Sequence, residues 1–114
     1  MYRQYVVSLN NFITRDFITK VIADKKGEDV FISDACPIAD AVIIVTVLSA
    51  RQMHAIAQEI KKVNRKKTYI EGLDTDWVLI DVGGFLIHLL KPEARVFYHL
   101  EDLYNTSNKH FATV

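Results

Sequence analysis

Between Tyr69 and Leu103 three short apolar runs follow one another, each rich in aromatic or β-branched residues and each closed by Gly, Asp or Pro. Runs of that length and punctuation predict a three-stranded antiparallel meander. Its strands are Thr68 to Glu71, Trp77 to Asp81 and Phe85 to Leu90. Gly72-Leu73-Asp74-Thr75-Asp76 makes the first turn, and Val82-Gly83-Gly84 makes the second, where glycine takes the positive φ that a tight hairpin demands. On the middle strand Trp77, Leu79 and Asp81 share one face, while Val78 and Ile80 share the other. If helices bury Val78 and Ile80, the Trp77 face becomes an apolar patch that something must dock on, or Trp77 packs under a loop.

The upstream chain supplies the cover. Leu9, Phe12, Ile13, Phe17 and Val21 recur at intervals of three and four and predict a helix of about four turns. Ser8 is placed to cap its start, and Gly27, after Lys25 and Lys26, to stop it. Asp29 to Ser33 reads as a strand ended by Asp34-Ala35-Cys36-Pro37. Ala41 to Val47 shows no polar alternation, which marks a strand inside the sheet with both faces covered. Ser49 followed by Gln52 is a capping-box pattern that opens a second helix, with Met53, Ile56, Ala57, Ile60 and Val63 on its apolar stripe. Pro92 and Glu93 open a short third helix, with Tyr98, Leu100, Leu103 and Tyr104 as packing residues. The sum is an α/β (α+β) domain over 9–104, an N-terminal arm over 1–8 and a flexible C-terminal tail over 105–114.

A chain of 114 residues, half of them hydrophobic, supports one core. Its 14 basic and 14 acidic side chains cancel, so no global field draws it to DNA or to an anionic membrane. No apolar run approaches the roughly 20 residues that span a bilayer. A lone Cys36 and an N-terminus without a secretory pattern predict a reducing, cytoplasmic setting, bacterial rather than organellar. Asn105-Thr106-Ser107 matches a glycosylation acceptor, which carries no meaning in such a setting. One local charge cluster stands out: Lys61, Lys62, Arg65, Lys66 and Lys67. It reads either as a solvated helix end that complements the dipole or as a minor contact to RNA phosphates. No aromatic residue is interleaved with it, which argues against sequence-specific single-strand binding.

Catalysis finds little to work with. The titratable candidates Asp34, Asp40, Asp81, His88 and His99 form no nucleophile or metal spacing, and Ser49 serves better as a cap. His88, inside an apolar strand, reads as a hydrogen-bonded structural histidine. Asp74 and Asp76 have the spacing that metal-dependent nucleotidyl transfer uses, but they sit in a turn. There is no phosphate-cradling glycine loop, and Cys36 lacks a cysteine partner for zinc. A binding module without cofactor or metal is the expected class.

Glu71-Gly72, Trp77 to Asp81, Gly83, His88, Arg95, Tyr98 and Leu100-Glu101-Asp102-Leu103 together resemble the signature of the ribosomal silencing factor family, also called the Iojap family. Asp40 before an apolar strand, Ser49-Ala50-Arg51-Gln52 and Ala55-Ile56-Ala57 extend the likeness upstream, so that it runs from about Phe17 to Tyr104. The resemblance implies a mixed five-stranded sheet packed with helices, nucleotidyltransferase-like without the catalytic acids. It also implies binding to the large ribosomal subunit, chiefly its protein number fourteen, which blocks joining of the small subunit and represses translation. Carried over by position, Trp77, Leu79, Asp81, Arg95 and Tyr98 belong to the partner-binding surface, and Glu71, Gly72, Gly83 and His88 support it. The chain departs from the family pattern at Val47-Leu48, where a Gly-Thr pair is usual, at Gly84 in place of an acidic residue, and at Tyr104 in place of tryptophan. Two other classes stand beside silencing: a metal-dependent nucleotidyltransferase-like enzyme using Asp74, Asp76 or Asp81, and a module that forms a homodimer through a sheet edge.

Overall fold

The computed structural model describes residues 13–64 and 67–104. Along the chain lie α1 (Arg15–Asp24), β1 (Glu28–Ser33), β2 (Ala41–Thr46), α2 (Ala50–Val63), β3 (Thr68–Glu71), β4 (Trp77–Val82), β5 (Phe85–Leu90), α3 (Pro92–Tyr98) and α4 (Glu101–Tyr104). The strands form one mixed sheet in the order β1-β2-β5-β4-β3. Strands β3, β4 and β5 are the expected antiparallel meander, and β2 runs parallel to β5 on its other side. A parallel pair needs a long crossover, and α2, β3 and β4 together supply it. All six residues of β2 are buried, as its unbroken apolar run requires.

The first sheet face carries the main core. Ile43 and Val45 of β2, Val78, Ile80 and Val82 of β4, and Ile87 and Leu89 of β5 pack there against Phe17, Ile18, Val21 and Ile22 of α1 and Met53, Ile56, Ala57 and Ile60 of α2. The stripe of α2 is the expected one, with Val63 partly buried beside it. The second face carries a smaller core of Cys36, Val42, Ile44, Leu90, Ala94 and Leu100, against which Trp77, Leu86 and Tyr104 pack. Helices α3 and α4 therefore cover the β1-β2-β5 side of that face.

Helix α1 is shorter than the apolar spacing implies. Thr14, in extended backbone, accepts a hydrogen bond from the Phe17 N–H at 3.1 Å and caps a helix of 10 residues. A threonine hydroxyl in that position satisfies an N–H left orphaned by the helix start, so Ile13 packs into the core from outside the helix. Ser8, Leu9 and Phe12, the arm and the tail lie outside the described residues. The stop also differs in detail: Lys26 takes the positive φ of 68°, while the Gly27 N–H bonds to the Ile22 carbonyl at 2.8 Å. Gly27 answers to space instead, since a Cβ there would lie 2.6 Å from Ile22 and 2.7 Å from Val45.

The capping box of α2 reaches further than its pattern. The Gln52 N–H donates to the Ser49 hydroxyl at 3.1 Å, and the Gln52 side-chain oxygen accepts from the Leu48 N–H at 2.9 Å. The same side chain donates its amide hydrogens to the Lys25 and Lys26 carbonyls, both at 2.9 Å, so one residue joins the start of α2 to the end of α1. Leu103 and Tyr98, both expected to pack, are instead exposed, although Tyr98 keeps its ring against Trp77.

Candidate docking surface

Trp77 opens β4 on the second sheet face, and its placement begins with the turn before it. Gly72 has φ of +87°, and a Cβ there would lie 2.2 Å from the Trp77 carbonyl, so only glycine fits. The Thr75 hydroxyl, within hydrogen-bond reach of the Gly72 and Trp77 carbonyls, locks the loop. From there the Trp77 indole N–H donates to Nδ1 of His88 at 3.0 Å. The Tyr98 ring lies 4.8 Å from the indole between centroids, tilted by 47°, and Phe97 meets Tyr98 edge-on at 5.0 Å. A groove between the turn and α3 is lined by Thr75, Asp76, Trp77, Glu93, Phe97 and Tyr98.

Below this groove none of the described helices covers the β4–β3 half of the second face. Leu79 stands between His88 on β5 and Glu71 on β3, and Asp81 between Leu86 and Tyr69. Leu79 and Leu86 are half-buried, Asp81 and Glu71 are exposed, and Tyr69 is 64% exposed. The surface is thus an apolar strip with carboxylates at its border, which suits a partner that brings apolar and basic groups.

Behind this surface lie the β4–β5 hairpin, His88 and Arg95. Gly83 and Gly84 have φ of 54° and 89°, the pair of left-handed positions of a two-residue type I′ hairpin. Gly84 lies on Asp40: its carbonyl accepts from the Asp40 N–H at 2.8 Å, and a Cβ would come within 2.4 Å of the Asp40 carboxylate. His88 is 6% exposed, and burial lowers its pKa to about 4. Arg95 is held by bonds within the protein. Its Nε donates to Glu101 at 2.7 Å, and its Nη1 donates to the Asp29 carbonyl and to the Thr46 hydroxyl, tying α3 to α4 and to the β1–β2 edge. Ser33 makes a second tie to α4 through the Tyr104 carbonyl.

The fold does not gather the acidic candidates. Asp74 pairs with His54 at 3.0 Å, Asp76 with Lys91 at 3.5 Å, Asp34 with Arg15, and His99 faces Asp102 at 3.7 Å. Among the described residues no group of three or more His, Cys, Asp or Glu side chains is placed to hold a metal ion. Of the basic run, Lys62 pairs with Glu59 at 3.4 Å and Lys67 is exposed beside edge strand β3, while Arg65 and Lys66 lie outside the described residues. No described helix is long and apolar enough to cross a membrane.

Three surface residues escaped the sequence reading. Tyr69 shares a face with Glu71, as strand alternation already implies. Val96 and Phe97, 70% and 77% exposed, sit on a helix whose only buried residue is Ala94. A seven-residue helix with apolar side chains on several sides gives periodicity nothing to separate.

The family profile described as "Ribosomal silencing factor during starvation" matches residues 13–113. The ribosomal silencing factor RsfS of Zymomonas mobilis is 35% identical over 101 residues, covering 78% of this chain and 76% of that protein. The protein of the same name from Haemophilus influenzae is 33% identical over 97 residues, covering 78% of this chain and 95% of its own. The crystal structure of a Chromobacterium violaceum protein shares the fold with a TM-score of 0.68 at 26% identity, over 81% of this chain and 87% of that one. Matched across its sheet and helices by profile, relatives and fold alike, the chain belongs to the ribosomal silencing factor family.

Proposed function

We propose that this protein docks on the large ribosomal subunit, chiefly through that subunit's protein number fourteen, and represses translation by blocking the small subunit sterically. The observation that carries the reading is the half-covered second face, where Trp77 stands at the border between the α3–α4 cover and the open strip of Leu79, Asp81 and Tyr69. A large aromatic side chain that is partly buried, oriented by neighbours and rimmed by charge is the usual form of an energetic hot spot. The relatives' name, ribosomal silencing factor, agrees with it. Tyr98 extends the anchor, and Arg95 holds α3 where Tyr98 can do so. Lys61, Lys62, Arg65, Lys66 and Lys67 add a minor contact to ribosomal RNA phosphates. No step of this mechanism needs a bond to be made or broken, so the protein acts by occupancy.

Co-sedimentation with purified large subunits tests the reading, with Trp77→Ala and Asp81→Ala beside the parent. Truncating a hot-spot aromatic costs about 2 kcal/mol or more, roughly thirtyfold in affinity. The parent should therefore co-sediment and prevent small-subunit joining, and Trp77→Ala should do neither. Full retention of Trp77→Ala, with its fold intact, would remove this face from the mechanism.

A further inference from the structure

His88 is the one polar side chain on β5, between Ile87 and Leu89 and opposite Leu79 on the second face. A leucine there would extend the apolar core, yet the histidine is buried in its place. Trp77 sits two residues before Leu79, on the same face and diagonal to His88, a separation that aromatic side chains bridge. The two rings are 5.8 Å apart at 46°, and the indole N–H donates to Nδ1 at 3.0 Å. An indole nitrogen only donates, so Nδ1 accepts and the neutral ring carries its proton on Nε2. Nε2 is buried with no hydrogen-bond partner among the described residues. A buried orphan donor destabilises the fold, so His88 is a poor choice for packing alone. Its bond to Trp77 is the interaction that an apolar residue could not make.

The bond sets what Trp77 can offer. With the N–H edge turned inward to His88 and one side against Tyr98, the indole lines the groove with ring surface rather than with a donor. We infer that His88 is a positioning residue for Trp77, engaging the indole N–H so that the docking partner meets an aromatic face and contributes an apolar or cationic group, not a hydrogen-bond acceptor. This rests on the proposed role of Trp77 as the docking anchor. Pre-orienting one side chain accounts for a roughly two- to tenfold gain in affinity through rotamer freedom already lost.

Trp77 is the only tryptophan, so its indole N–H gives a single resonance in the full-length protein. Nitrogen shifts of His88 should show the proton on Nε2 in the parent. A proton on Nδ1 would overturn the inference before any variant is made. Hydrogen exchange at the indole should accelerate at least about tenfold in His88→Leu, and His88→Asn, whose side-chain oxygen stands near the place of Nδ1, should restore protection. Unchanged exchange in a folded His88→Leu also overturns it. On large subunits, His88→Leu and Trp77→Phe should each weaken co-sedimentation two- to tenfold, and the double variant no further. Additive losses would mean that His88 and the indole N–H act independently on docking, contrary to the inference. If the parent does not co-sediment, the docking reading fails, while the exchange and nitrogen-shift results still decide whether His88 positions Trp77.

Discussion

Acid should destabilise this protein through His88 in particular. The side chain is neutral when folded because burial lowers its pKa from 6.5 to about 4, whereas the unfolded chain exposes an ordinary imidazole. Between those two values the unfolded state binds a proton that the native state refuses. The stability associated with the neutral, buried ring is therefore fully present above pH 6.5, is lost as the pH falls, and is gone near pH 4. The separation of the two values corresponds to about 3 kcal/mol, a large part of the 5–15 kcal/mol that holds a typical domain folded. Its ring neighbours, Trp77 on β4 and Tyr104 on α4, carry no charge in this range, and burial raises the Tyr104 phenol further. Urea unfolding followed by circular dichroism at pH 7, 6, 5 and 4 measures the effect. His88→Leu serves as reference, because every other ionisable group is present in both proteins and cancels in the difference. The parent should lose about 3 kcal/mol more than the variant between pH 7 and pH 4. Parallel curves would refute the reasoning, since the variant lacks the group on which it depends.

Two further substitutions test packing that the structure specifies. Gln52→Glu keeps a capping box, which accepts either residue, but turns acceptors toward the Lys25 and Lys26 carbonyls that Gln52 now serves. It should destabilise the fold by about 1–3 kcal/mol at neutral pH, and a neutral result in thermal unfolding would deny the bridge between α1 and α2. Gly84→Asp would place an acidic side chain at a φ of 89° and against the Asp40 carboxylate. It should cost about 1–3 kcal/mol, with a melting temperature equal to the parent's as the refuting outcome.

Most elements were legible in the residues themselves. Short apolar runs closed by Gly, Asp or Pro marked four strands and the unbroken apolar run Ala41 to Val47 the fifth, the Ser49–Gln52 pair marked the start of α2, and Pro92 the start of α3. The start of α1 was misplaced because Leu9, Phe12 and Ile13 continue its spacing, and spacing alone does not show that Thr14 turns its hydroxyl back to cap Phe17. The candidate site was half legible. Trp77, Leu79 and Asp81 were set on one face by strand alternation, whereas Arg95 proved to be an internal tie and Tyr69 a surface residue.

The difference has a physical origin. Alternation and turn chemistry are local, acting over a few bonds, so the sequence alone determined which side chains share a face and where the chain reverses. Which face the helices cover, and that β2 lies parallel to β5, depend on contacts between segments far apart in the chain. The partner of Trp77 is a case in point. Only the antiparallel register of β4 on β5 brings His88 within 3.0 Å of the indole nitrogen, and only the return of α3 over β5 lays Tyr98 against its ring.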